Sequence, residues 1–107
     1  MDSTTTPAQG GSAEASRGTR KVALLHKTGL HMRPAGRIME TALKFKSDVQ
    51  LKWADRSANA KSILEMLSLA APPGAELVLE ASGSDADQAL DALEALIRDR
   101  INREEDN

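Results

Sequence analysis

The chain has 107 residues, with 14 Lys and Arg against 16 Asp and Glu and a formal net charge of -2. That length suits one domain built on one core, and the slight acidity excludes a nucleic-acid binder, which needs a basic excess to neutralise phosphates. Cysteine is absent, which removes a disulfide framework, a thiolate metal site and a cysteine nucleophile.

Residues 1–20, "MDSTTTPAQGGSAEASRGTR", are rich in Ser, Thr, Ala and Gly and hold almost nothing large to bury. Ordering them would cost backbone entropy with little return, so a disordered tail is expected. They have neither the basic start nor the apolar run of a secretory signal, and no later segment is long enough to span a bilayer. The expectation is a cytoplasmic protein without membrane insertion, folded over residues 21–101 and ending in a solvated polar tail over 102–107.

"KVALLH" at 21–26 reads as a short strand stopped by Lys27-Thr28-Gly29. Ala35, Ile38, Met39, Ala42 and Phe45 recur at helical spacing and predict an amphipathic helix over about 32–46. "DVQLKW" alternates Val49, Leu51 and Trp53 with polar residues, the period of a strand covered on one face. "ADRS" supplies a turn, and residues 57–60 are a weak candidate for a partner strand.

Ser62 and Glu65 have the capping-box spacing ahead of an apolar run, so a short helix starts there and must stop before Pro72-Pro73-Gly74. "AELVLEA" alternates again as a strand. Gly83-Ser84-Asp85 breaks it, and Leu90, Leu93, Leu96, Ile97 and Ile101 mark a last helix over about 86–101. The order strand, helix, strand, strand, helix, strand, helix is an α+β pattern able to bury its helices on one face of a largely antiparallel sheet.

"TGLHMRPA" places His31 at the predicted start of the first helix, where backbone N–H groups have no intrahelical partner and the macrodipole favours an anion. A neutral imidazole there can act as a nucleophile, and Arg33 with the N–H groups could hold the oxygens of a phosphoryl group placed on it. Pro34 suits the first turn. Local physics equally allows His31 to be a half-exposed helix-start residue and Arg33 a solvated arginine. His26 is five residues away, but no third ligand pattern accompanies the pair, so no metal site is expected and His26 reads as a strand-end residue.

At "GLHMRPA", and again across residues 57–97, the sequence resembles the HPr family, the histidine-containing phosphocarriers of the bacterial phosphoenolpyruvate-dependent phosphotransferase system. The resemblance spans about residues 20–101. It implies an open-faced β-sandwich, with a four-stranded antiparallel sheet covered on one face by three helices (βαββαβα). It also implies a covalent relay in place of an enzyme: phosphorylated enzyme I passes its phosphoryl group to Nδ1 of His31, Arg33 stabilises it, and an EIIA-type acceptor of the sugar-transport branch takes it on. No cofactor or metal is implied, and a monomer is expected.

By the same resemblance Ser62 matches a regulatory serine phosphorylated by HPr kinase/phosphorylase, and Ile63, Leu64 and Leu67 match a docking patch for enzyme I. A helix cap alone would account for Ser62 and Glu65, and core packing could account for the apolar residues. Docking predicts Met66 buried, with Leu64 and Leu67 partly exposed. The chain departs from the family at Thr28, where asparagine is common, at Met32, where a small residue is usual, and at Glu65, where some kinase-regulated members have glycine. Alternatives within the resemblance are a nitrogen-branch carrier and a regulatory module working through Ser62.

Overall fold

The first strand, β1 (Arg17–Leu24), turns Val22 and Leu24 inward and leaves Lys21 and Ala23 outside. The structure, a computed structural model, describes residues 16–104, so residues 1–15 and 105–107 of the two expected tails lie outside it. β1 begins at Arg17, four residues before the expected Lys21. Residues 17–20 carry no apolar alternation, yet they pair in register with residues 79–82, which satisfies their backbone groups in a ladder. Gly18 lies close under the last helix: a Cβ would meet Leu90 Cδ1 at 2.8 Å, and that side chain would have to shift.

Helix α1 (Met32–Ala42) buries Pro34, Ala35, Ile38 and Ala42. It stops short of the expected residue 46 because Lys44 and Phe45 donate to the carbonyls of Thr41 and Ala42, three residues back, each at 3.1 Å. The next two N–H groups, of Lys46 and Ser47, donate to the Asp85 carboxylate at 2.9 Å. The last turn is thus tightened by local bonds, and a tertiary acceptor fixes the chain that follows it. β2 (Asp48–Trp53) and β3 (Arg56–Asn59) follow as an antiparallel pair, joined through Ala54 and Asp55 with Ala54 in the left-handed region at φ 56°.

Helix α2 (Ile63–Ser68) is capped by Ser62, whose Oγ accepts the Glu65 N–H at 3.2 Å. The reciprocal half of the expected box is absent: Glu65 Oε1 accepts from Asn59 N instead, at 2.9 Å, and so ties the cap to β3. The helix ends ahead of Pro72, with Ala70 at φ 55°. β4 (Ala75–Ser82) is central in the sheet, paired antiparallel with β1 on one side and β2 on the other, giving the order β1-β4-β2-β3.

Helix α3 (Ala86–Ala95) continues into a π-helical segment (Leu96–Ile101). Leu90, Leu93, Ile97 and Ile101 are wholly buried against the inward faces of Leu24, Leu51, Leu77 and Leu79. Each such side chain contributes about 1.5–3 kcal/mol through removal from water. The four-stranded antiparallel sheet with three helices is the expected open-faced α+β arrangement, and Lys52 and Glu80 pair at 3.1 Å across β2 and β4. Among the described residues no helix is long and apolar enough to cross a membrane.

Candidate functional site

The turn after β1 sets the site. Gly29 donates to the His26 carbonyl at 2.9 Å, and Leu30 to the Ala71 carbonyl at 3.0 Å, which anchors the segment to the loop beyond α2. Gly29 has φ 70°, and a Cβ there would lie 2.6 Å from the Ala71 oxygen. Both its backbone angle and its surroundings therefore require glycine.

His31 is the N-cap residue of α1, in extended conformation, and its side chain makes no capping hydrogen bond. Its carbonyl accepts the Ala35 N–H at 2.9 Å, the first bond of the helix. The N–H groups of Met32 and Arg33 have no acceptor within the helix, and Pro34 has no N–H to satisfy. No acidic residue occupies the first turn, so nothing there competes for those donors. Arg33 is exposed, which leaves its guanidinium available at the helix start. Of the two ring nitrogens of His31, Nε2 is buried without a hydrogen-bond partner.

Behind His31 stands His26, its ring centroid 5.6 Å away and the two planes tilted by 46°. His26 is only 2% exposed and lies two residues beyond the end of β1, so the strand expected over 21–26 stops short of it. The signal was available in the alternation Val22, Leu24, His26, which puts the histidine on the inward face. Its Nδ1 accepts from the Thr28 N–H at 3.3 Å and lies 2.7 Å from Thr28 Oγ1, so the departure at Thr28 is part of the local structure.

In the C-terminal segment expected to be solvated from residue 102, Arg103 is exposed, whereas Asn102 and Glu104 are half-exposed and bonded back to the domain. Asn102 donates from Nδ2 to the Ala23 carbonyl and accepts the Leu25 N–H, both at 2.8 Å. Glu104 forms an ion pair with Arg37 and places Oε1 4.0 Å from His26 Nε2. No helical period could have indicated this, because the π-helical winding re-aims the chain: Asn102 N–H reaches back five residues to Ile97.

α2 packs against α1, with Ile63 Cδ1 3.9 Å from the position a Cβ would take on Gly36. Met66 is fully buried, whereas Ile63 and Leu67 are half-buried against the core and Leu64 is 79% exposed. Met32, beside His31, is 59% exposed. Large apolar side chains are thus displayed at the start of α1 and on α2, and Ser62 is half-exposed at the head of the second of these helices. Among the described residues no three His, Cys, Asp or Glu side chains gather as a metal site.

Residues 19–99 match the family model described as "PTS HPr component phosphorylation site". Among solved structures, the chain is similar to the phosphocarrier protein HPr from Bacillus anthracis, at 34% identity and a TM-score of 0.73, over 78% of this chain and 99% of that one. It is also similar to HPr-C-His from Thermoanaerobacter tengcongensis, at 35% identity and a TM-score of 0.77, over 82% and 99%. A third similar structure is the Bacillus subtilis catabolite repression containing protein Crh, at 40% identity and a TM-score of 0.64, over 77% and 94%. With its sheet order, its helices and the "GLHMRPA" segment at the head of α1, the chain belongs to the HPr family of phosphocarriers of the phosphotransferase system.

Proposed function

We propose that His31 is the phosphoryl acceptor of a relay in which phosphorylated enzyme I is the donor and an EIIA-type protein of the sugar branch is the recipient, acting in the cytoplasm. The observation that carries this reading is the pairing of an uncapped His31 imidazole with the open N-terminus of α1 and the exposed Arg33. As Nδ1 attacks, the Nδ1–P bond forms and the donor–phosphorus bond breaks, its electron pair staying with the donor. Nε2 keeps its hydrogen on the buried side of the ring. The phosphoryl oxygens meet the free N–H groups of the first turn, whose partial positive charge favours an anion, and the Arg33 guanidinium. The chain completes no turnover alone, since donor and recipient sites belong to other proteins. The docking surface would be Met32 with Ile63, Leu64 and Leu67.

Intact-protein mass spectrometry after incubation with phosphoenolpyruvate, Mg²⁺ and a matched enzyme I tests the reading. One acid-labile phosphate on the wild type and none on His31→Ala is expected. No phosphate on the wild type, with an enzyme I shown to be active, would overturn it.

A second reading is regulation through Ser62. It is favoured by the half-exposed position of Ser62 at the head of α2, next to Leu64. Phosphorylation by an HPr kinase/phosphorylase would add about two negative charges beside an apolar surface and oppose docking by repulsion and desolvation. The nitrogen branch would use the same His31 chemistry, and only the recipient protein separates it from the sugar branch.

A further inference from the structure

Among the described residues, the two buried side-chain polar atoms without a hydrogen-bond partner are His31 Nε2 and Glu104 Oε1, and His26 adjoins both side chains. The tautomer of His26 follows from its neighbours. A backbone N–H can only donate, so the Thr28 N–H makes Nδ1 of His26 an acceptor, and the neutral ring carries its hydrogen on Nε2. That N–H lies on the Glu104 side of the ring, with Oε1 4.0 Å from the nitrogen. The carboxylate is held from its other oxygen by Arg37, and the chain that delivers it is fixed by the π-helical segment and by the two Asn102 hydrogen bonds to Ala23 and Leu25.

We infer that His26 and Glu104 form a buried imidazole–carboxylate pair that positions the His31 ring and holds its hydrogen on Nε2, an inference that rests on the carrier reading for its link to phosphoryl transfer. A carboxylate beside His26, whose ring packs against that of His31, favours N–H dipoles directed inward in a site of low dielectric. An inward Nε2–H on His31 leaves the Nδ1 lone pair facing outward, the state that attack on phosphorus requires. The separation of 4.0 Å is beyond hydrogen-bond range, so the pair acts here through its field and the packing of the rings. His26 and Glu104 are positioning residues; neither touches the reacting atoms.

The experiment compares full-length wild type with Glu104→Gln, Glu104→Asp and His26→Phe. The first readout is the long-range ¹H–¹⁵N spectrum of the imidazoles without any phosphoryl donor. The Nε2–H form of His31 is expected to dominate in the wild type and in Glu104→Asp, and to give way to a tautomer mixture in Glu104→Gln. The second is the rate of phosphoryl uptake from phosphorylated enzyme I, expected to fall roughly tenfold in Glu104→Gln and to recover in Glu104→Asp. His26→Phe should show both losses; if it fails to fold, Glu104→Gln still decides. An unchanged His31 spectrum in folded Glu104→Gln overturns the inference. A wild type that takes up no phosphoryl group overturns the carrier reading instead, and the spectra still judge the pair.

Discussion

Asp85 stands at the N-cap of α3 but makes no capping bond to that helix; its carboxylate instead accepts from the Ser47 hydroxyl at 2.5 Å and the Ser47 N–H at 2.9 Å, 38 residues away. The Ser47 hydroxyl first, then the Lys46 N–H, hold the Asp85 carboxyl below its ordinary value of 3.8, against the opposing effect of desolvation. A carboxyl lowered in the folded state contributes stability that is fully present above the unfolded value and is lost as pH falls through the folded one. Asp85→Asn should therefore lower the melting temperature at neutral pH, and the gap to wild type should narrow below about pH 4. Thermal melts of both proteins across that range check the sign; a gap constant with pH would contradict it.

Arg33 is exposed and is not part of the core. Arg33→Ala should leave the melting temperature within error while slowing phosphoryl uptake on His31 by about ten- to a hundredfold, the worth of one hydrogen bond to a charged group. Rapid-quench kinetics with phosphorylated enzyme I, read beside a melt of the same sample, separate that outcome from misfolding.

Gly29→Ala should cost on the order of 1–3 kcal/mol or more, because it combines a left-handed backbone with a Cβ driven into the Ala71 carbonyl. Urea unfolding measures the cost. Gly74, also at positive φ but open around its Cβ position, is the control for the backbone contribution alone.

Ser62→Ala should destabilise by about 1 kcal/mol through loss of a helix cap. Ser62→Asp should retain that stability, since aspartate caps as well as serine and suits the helix N-terminus. If enzyme I docks on this helix, the aspartate variant alone should raise the KM for phosphoryl uptake. Equal KM values for the two variants would remove Ser62 from the docking surface.

Within α2, neighbouring apolar residues should part in their effects. Met66→Ala empties a fully buried site and should cost about 2–5 kcal/mol, whereas Leu64→Ala should stay within about 0.5 kcal/mol of wild type. Leu64→Ala should nevertheless weaken binding to enzyme I, measured by titration calorimetry against the unphosphorylated partner.

Elements whose side chains alternate between core and solvent were legible from their periods alone. Val49, Leu51 and Trp53 placed β2, Leu77, Leu79 and Ala81 placed β4, and the Leu90 to Ile101 stripe placed the last helix, because burial imposes the same period on the sequence as on the backbone. The placement of His31 and Arg33 at a helix start was legible for a related reason, because the turn at Gly29 and the proline at 34 mark that start. What the sequence determined by itself was thus the elements whose burial repeats along the chain, and the start of the first helix.

Only the tertiary structure decided features whose partners are distant in the chain. Residues 17–20 became a strand because residues 79–82 offered a ladder, and the chain beyond α1 is held by Asp85, which takes the N–H groups of Lys46 and Ser47. The burial of His31 Nε2 and of His26, and the return of Asn102 and Glu104 from an apparent tail, all depend on contacts across dozens of residues. Such contacts leave no period to read, because each couples one residue to one remote partner and repeats nowhere in the chain.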